Sequence, residues 1–131
     1  MESLEDLEAW KVGMDLVEEV YLIVKQFPKN EEYELCKQLR RATTSIVANV
    51  AEGFSRYTSP DKASKFVISR GECSEVKALL LIAIRLDILK RNEAQKALNL
   101  CDQTGRLLSG LIKYCHQQGK IKAFSSKELR H

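Results

Sequence analysis

The sequence predicts an all-α protein, an antiparallel up-down-up-down four-helix bundle, on three observations. Only two prolines and six glycines occur in 131 residues, with 7% aromatics. That is too few turn formers for a sandwich or barrel, which needs a turn about every ten residues. Apolar residues recur at steps of three and four along most of the chain, the period of a helix face. Both prolines stand beside helix-start signals, and the connections left between helices are so short that they join antiparallel neighbours.

The first helix is expected over about residues 6–27. Leu7, Trp10, Met14, Val17, Tyr21 and Val24 step alternately by three and four, and Ala9, Gly13, Leu16, Val20, Ile23 and Phe27 run beside them. Two adjacent stripes suit a helix with two neighbours in a bundle, and equally one that also meets another subunit. Phe27-Pro28-Lys29-Asn30 closes it. Asn30 is placed to cap a second helix over 31–57, whose first-turn Glu31 and Glu32 suit the positive end of the helix dipole. Ser59-Pro60-Asp61 reads as cap, first-turn proline and acid, opening a third helix over 60–89. Asn92-Glu93-Ala94-Gln95 reads as a capping box for a fourth over 93–118, with Gly119 as its stop. The expectation is one bundle domain over residues 1–119 and a basic tail over 120–131. Gly13, Gly53, Gly71, Gly105 and Gly110 fall inside these helices, each costing about 1 kcal/mol relative to alanine. Close approach of neighbouring backbones is the expected compensation.

Several functions are excluded by composition. The longest apolar run, Ala78 to Ile84, is far short of the ~20 residues of a membrane span, and the acidic start Met1-Glu2-Ser3-Leu4-Glu5-Asp6 is unlike a secretory or mitochondrial signal. A cytoplasmic protein with no membrane partner is expected. Cys36, Cys73, Cys101 and Cys115 form no CxxC pair, and His116 and His131 are the only histidines, which argues against a zinc site. The thiols are expected as small buried hydrophobes in a reducing compartment. No Gly-rich phosphate loop, GxSxG elbow or HExxH occurs, so the expectation is a non-enzymatic protein with no metal and no cofactor.

The net charge of +3 conceals a polarity. Residues 1–27 hold seven acids against two lysines, a net −5, whereas residues 58–91 sum to +3 and residues 92–131 to +4. Lys62, Lys65, Arg70, Lys77, Arg85, Lys90 and Arg91 line the third helix, and Lys113, Lys120, Lys122, Lys127 and Arg130 extend the fourth into the tail. Such a surface holds polyanions by counterion release without reading sequence, although lysines also serve simply as solubilising groups. In the second helix, Leu35, Leu39, Ala42, Ile46, Val50 and Phe54 form an apolar face. Beside it runs a polar column: Arg41, Ser45, Asn49, Glu52 and Arg56, spaced to stack on one side. Two readings of the column stand. In one, Ser45 and Asn49 are partly buried and satisfied by another helix, and Glu52 pairs with Arg56 or Arg41, fixing register between helices or subunits, with cross-helix partners near Arg70 and Glu75. In the other, Arg40, Arg41 and Arg56 offer guanidinium groups to phosphates, Arg40 standing off the column as the better placed.

The residues resemble a known family. Leu7-Glu8-Ala9-Trp10-Lys11 with Tyr21 and Phe27-Pro28, then Gln38-Leu39-Arg40-Arg41-Ala42 running through Ser45-Ile46 to Asn49-Val50-Ala51-Glu52-Gly53-Phe54, continue through Phe66, Gly71, Glu75 and Leu80 to Ala83. This pattern, over about residues 4–115, resembles the 23S rRNA intervening-sequence proteins (the S23 ribosomal protein family), which in turn resemble the accessory variability determinant proteins of diversity-generating retroelements. The resemblance implies a homopentameric barrel of four-helix bundles, encoded in rRNA-gene inserts or standing alone. In the retroelement branch it implies nucleic-acid binding and partnership with a reverse transcriptase, carried over here to Arg40, Arg41 and Arg56. The chain departs from the usual pattern on the third helix, with Glu72 for a serine, Lys77 for a glutamate and Leu79 for a glutamine. The resulting expectation is a pentamer that binds RNA or DNA through Arg40, Arg41, Arg56, Lys62, Lys65, Arg70, Lys113, Lys120 and Lys122, with Ser45, Asn49, Glu52 and Glu75 fixing register. The alternative is a scaffold with no nucleic-acid role.

Overall fold

The computed structural model describes residues 3–129, and of residues 31–33 and 122–129 the backbone path alone. Helix α1 spans Glu8–Val24, α2 Lys37–Ser55, α3 Ser59–Arg85 and α4 Arg91–Leu129, with no strand among the described residues. Helix α2 packs on α3, α3 on α4, and α1 on both α2 and α4, and the four enclose two buried apolar clusters, one around Leu16, Leu39 and Leu80 and one around Val50, Phe66 and Leu108. Partners on α2 and α3 run in opposite numerical order: Arg41 meets Glu75, the Ile46 carbonyl accepts from the Ser69 hydroxyl at 2.7 Å, and Gly53 faces Phe66.

Ala9, Gly13, Leu16, Val20, Ile23 and Phe27 of one stripe are buried, whereas the other is buried only at its ends, Leu7 and Val24, with Met14 and Tyr21 41% and 38% exposed. The apolar face of α2 is buried up to Val50, with Phe54 half-buried. Helix α3 buries Phe66, Cys73, Val76, Leu80 and Ala83 yet also exposes Val67, Ile68, Leu81 and Ile82, with exposed Leu86 just past its end. Apolar character on nearly every side is the pattern of a helix covered on more than its core face.

The boundaries differ from the sequence reading in instructive ways. Asn30 lies in a 3-10 turn, Lys29–Glu31, followed by a π turn, Glu32–Cys36, before α2 begins. Leu35 and Cys36 at its end are both buried. The cap of α3 is Thr58, whose hydroxyl accepts from the Asp61 N–H at 3.3 Å; Ser59 and Pro60 follow inside the first turn, where a proline lacks nothing. Helix α3 stops at Arg85 rather than 89. Asp87 adopts φ 58°, and the Ile88 and Asp87 N–H groups donate to the Ala83 and Ile84 carbonyls at 2.9 and 3.1 Å, a Schellman closure made with aspartate in the place glycine usually takes. At the start of α4 it is Glu93 that accepts from the Lys90 N–H, at 2.9 Å, while Gln95 bonds Asn99 instead.

Gly119 does not stop α4, which continues through it to Leu129, so residues 120–129 prolong a helix. One glycine costs a helix only about 1 kcal/mol, and no glycine among the described residues has positive φ. Close approach explains two glycines: a Cβ at Gly13 would meet Val47 at 2.9 Å and one at Gly53 would meet Phe66 at 2.6 Å. At Gly71, Gly105, Gly110 and Gly119 it would meet nothing within 4 Å.

Candidate functional site

The polar column of α2 lies along its seam with α3. The Arg41 Nη2 donates to both Glu75 carboxylate oxygens at 2.7 Å, its Nη1 to Glu72 at 3.3 Å and its Nε to Gln38 at 3.0 Å. The Arg41 hydrogen bond holds the Glu75 carboxyl below the usual glutamate range, whereas burial pushes Glu72 up against the pull of Arg41. Further along, Glu52 pairs with Lys65 at 2.9 Å and more loosely with Arg56 at 3.8 Å, and Lys65 lowers its pKa. Between these clamps the Asn49 amide donates to the Ser45 carbonyl at 2.9 Å and hydroxyl at 3.1 Å. Within the chain the Asn49 amide thus finds its acceptors on its own helix, one turn back, where they are within reach of a helical asparagine. Cross-helix register rests on Arg41–Glu75 and Glu52–Lys65.

Lys62 has a local task that spacing alone could not reveal. Its ammonium donates to the Phe54 carbonyl at 2.8 Å and sits 5.8 Å from the Phe54 ring centroid. It thus satisfies a carbonyl in the last turn of α2, where carbonyls lack helical partners. Arg41, Arg56, Lys62 and Lys65 are accordingly engaged within the chain. Arg40 is half-buried and borders a hollow with Tyr21, Phe27 and Lys29.

The cations on α3 and α4 meet elsewhere. Arg70, Ser74 and Lys77 on α3 face Asp102, Arg106 and Ser109 on α4 across a groove of about 490 Å³. Arg70 donates to the Ser109 hydroxyl at 3.3 Å and Lys77 pairs with Asp102 at 2.8 Å. Lys113 is exposed one turn beyond Ser109. Among the described residues, Arg70, Arg106 and Lys113 have no carboxylate partner. Guanidinium, ammonium and hydroxyl groups along one groove can donate several hydrogen bonds to anionic oxygens. The residues singled out from sequence do not include Arg106, although Asp102, Arg106, Ser109 and Lys113 stand at steps of four, three and four, which marks one helix face. Two departures noted on α3 find partners inside the chain: Glu72 on Arg41 and Lys77 on Asp102.

Lys120 is exposed beside a hollow formed with His116 and the start of α3. The side chains of Lys122 and Lys127, and Arg130 altogether, lie outside the described residues. All four cysteines are buried thiols, as expected. No helix among the described residues is long and apolar enough to cross a membrane.

The profile of the 23S rRNA-intervening sequence protein family matches residues 5–110. A crystal structure of a protein of unknown function from the S23 ribosomal protein family of Bacteroides thetaiotaomicron VPI-5482 is similar, with 25% identity, a TM-score of 0.72, and cover of 80% of this chain and 95% of that one. No curated protein matches the chain.

Proposed function

This chain belongs to the 23S rRNA-intervening sequence protein family, and from that premise we propose that it is a non-enzymatic homopentamer of up-down-up-down bundles that binds RNA or DNA along the α3–α4 groove. The observation that carries the proposal is the groove itself, where Arg70 and Arg106 stand without carboxylate partners, with Lys113 exposed one turn beyond it. Cations already neutralised inside a protein have little left to offer a phosphate; these three do. The opposite numerical order of partners on α2 and α3 supports the antiparallel arrangement. Assembly is supported by the exposed apolar residues of α3 and by Met14 and Tyr21 on α1, and the family resemblance supplies the number five. In our reading it is a cytoplasmic protein encoded within an rRNA insert or beside a reverse transcriptase, and RNA is the polyanion common to both roles.

Three neutralised phosphates give a slope of about −2.7 in log affinity against log salt, so RNA affinity falls about fortyfold between roughly 50 and 200 mM salt. Fluorescence anisotropy on a labelled RNA checks this, with light scattering reporting the assembly. Salt-insensitive or absent binding contradicts the proposal. It would favour the scaffold reading, which the clamps of Arg41 to Glu72 and Glu75 support, because they spend the column's charge on holding helices together.

A further inference from the structure

The seam between α3 and α4 does not end at the cationic groove. Towards the start of α3 it opens again into a second hollow of about 520 Å³. Buried Ala63 and Cys115 form its floor, Pro60 and Val67 its apolar walls, and exposed Ser64, His116 and Lys120 its rim. Among the described residues no carboxylate lines this hollow, and the groove has Asp102 alone, already paired with Lys77. Exposed Ser109, Lys113, His116 and Lys120 follow Arg106 at steps of three, four, three and four, so one face of α4 borders both openings. Their centres lie about ten residues apart along α3, or roughly 15 Å. Helix α4 keeps Gly105 against the first and Gly119 against the second, and a Cβ at either would meet nothing within 4 Å. No close neighbour accounts for these glycines, which weaken a helix; the room they leave does. Tyr57, in the turn two residues before Ser59 at the hollow's edge, is 94% exposed.

We propose that this second hollow seats an unpaired nucleobase, so that the ligand of the α3–α4 seam is a single RNA strand. The inference rests on the reading that the groove binds RNA, and it names which form of RNA. Phosphates lie on Arg70, Arg106 and Lys113, and a base enters between Pro60 and Val67. A hollow of this size suits a small ring system. Its apolar walls accept the flat face of a base, while the Ser64 hydroxyl and the His116 imidazole supply hydrogen-bonding groups for the base edge. In a duplex the base faces are stacked on one another and only phosphates and groove edges are on offer. An apolar hollow at the end of a cationic track therefore serves a strand whose bases are splayed out. The separation of the two openings corresponds to about four nucleotides at the roughly 3.4 Å spacing of a stacked strand, and to fewer when the strand is extended. The Tyr57 ring, held in water beside the hollow, is a stacking surface for the next base.

The test measures, by anisotropy on the full-length protein, a fluorescein-labelled single-stranded RNA of about 12 nucleotides, its blunt duplex, and an abasic strand of the same length. The single strand should bind at least about fivefold tighter than either of the others, the effect of one stacked base. Gly119→Leu places a side chain in the hollow and improves helix propensity. It should bring the single strand down to the affinity of the abasic strand without altering the salt slope, with circular dichroism verifying the fold. In the unaltered protein, RNA carrying iodouridine should photocrosslink to the peptides that hold Tyr57 or His116, a readout independent of any variant. A duplex or abasic strand bound as tightly as the single strand, an undiminished preference in folded Gly119→Leu, or crosslinks confined to other peptides would each overturn the base site while leaving the groove reading intact. Salt-insensitive or absent binding of all three probes would overturn the groove reading itself, and this inference with it.

Discussion

Replacing Gly53 by alanine tests how closely α2 and α3 are fitted together. The added methyl would stand 2.6 Å from Phe66 Cε1, 2.8 Å from Cδ1 and 3.1 Å from Cζ, where carbon atoms prefer about 3.5–4.0 Å. The ring must withdraw by about 1 Å, but Phe66 is 4% exposed and packs in a cluster with Val50, Ala63 and Leu108. Such overpacking costs about 1–3 kcal/mol, and the better helix propensity of alanine returns about 1 kcal/mol. The net expectation is a loss of about 1 kcal/mol, or roughly 4 °C in Tm for a chain of this size. Gly71→Ala is the matched control: its methyl meets nothing within 4 Å, so propensity alone should stabilise it by about 0.5–1 kcal/mol. Urea melts of both variants at one protein concentration give the comparison. If Gly53→Ala stabilises as much as Gly71→Ala, the tight α2–α3 fit is wrong. If it destabilises, Gly53→Ala combined with Phe66→Leu should recover part of the stability.

Arg41→Met should cost about 0.5–1 kcal/mol at neutral pH, the range for a solvent-screened ion pair, because Arg41 and Glu75 are 47% and 39% exposed. Glu75 has a lowered folded pKa, so its contribution is present above the usual glutamate value and is lost as pH falls through the folded one. Glu72, with a raised folded pKa, acts oppositely, favouring the fold below its unfolded value and losing that as pH rises through the folded one. Melts across pH should therefore show the Arg41→Met penalty shrinking below about pH 4; a penalty that persists there refutes the clamp. Lys62→Met should lower stability by about 1 kcal/mol through the unmet Phe54 carbonyl while leaving RNA affinity within about twofold, as anisotropy and melts together report. Asp87→Gly should stabilise by about 0.5–1 kcal/mol, since glycine takes φ 58° without the Cβ penalty; a destabilised variant would mean the Asp87 side chain supports the turn.

Much of the bundle was legible because burial repeats with the helix period. The stripe from Ala9 to Phe27 and the face from Leu35 to Val50 point inward as their spacing required. Boundaries were less legible. Leu86, Ile88 and Leu89 continue the apolar character of α3, and an aspartate in a left-handed conformation announces itself far less than glycine does. The π turn before α2 carries no signal in its residues, Glu32 to Cys36, that local propensity would read. At the site, the sequence identified the column but not its partners. Arg41 reaches Glu75 and Glu72 across 34 and 31 residues of chain, and Lys62 reaches a backbone carbonyl, an acceptor present at every position. The groove was hidden for a similar reason: Arg70 and Arg106 meet only when α3 and α4 lie side by side.

The central claim, that the α3–α4 groove seats phosphates, is tested most directly by the salt dependence of RNA binding in Arg70→Gln with Arg106→Gln, set against Arg41→Gln. In the groove variant the slope of log affinity against log salt should flatten by about 0.9 for each phosphate that is no longer neutralised. In Arg41→Gln it should stay as in the parent protein. An unaltered slope in the groove variant, or equal flattening in both, would contradict the claim.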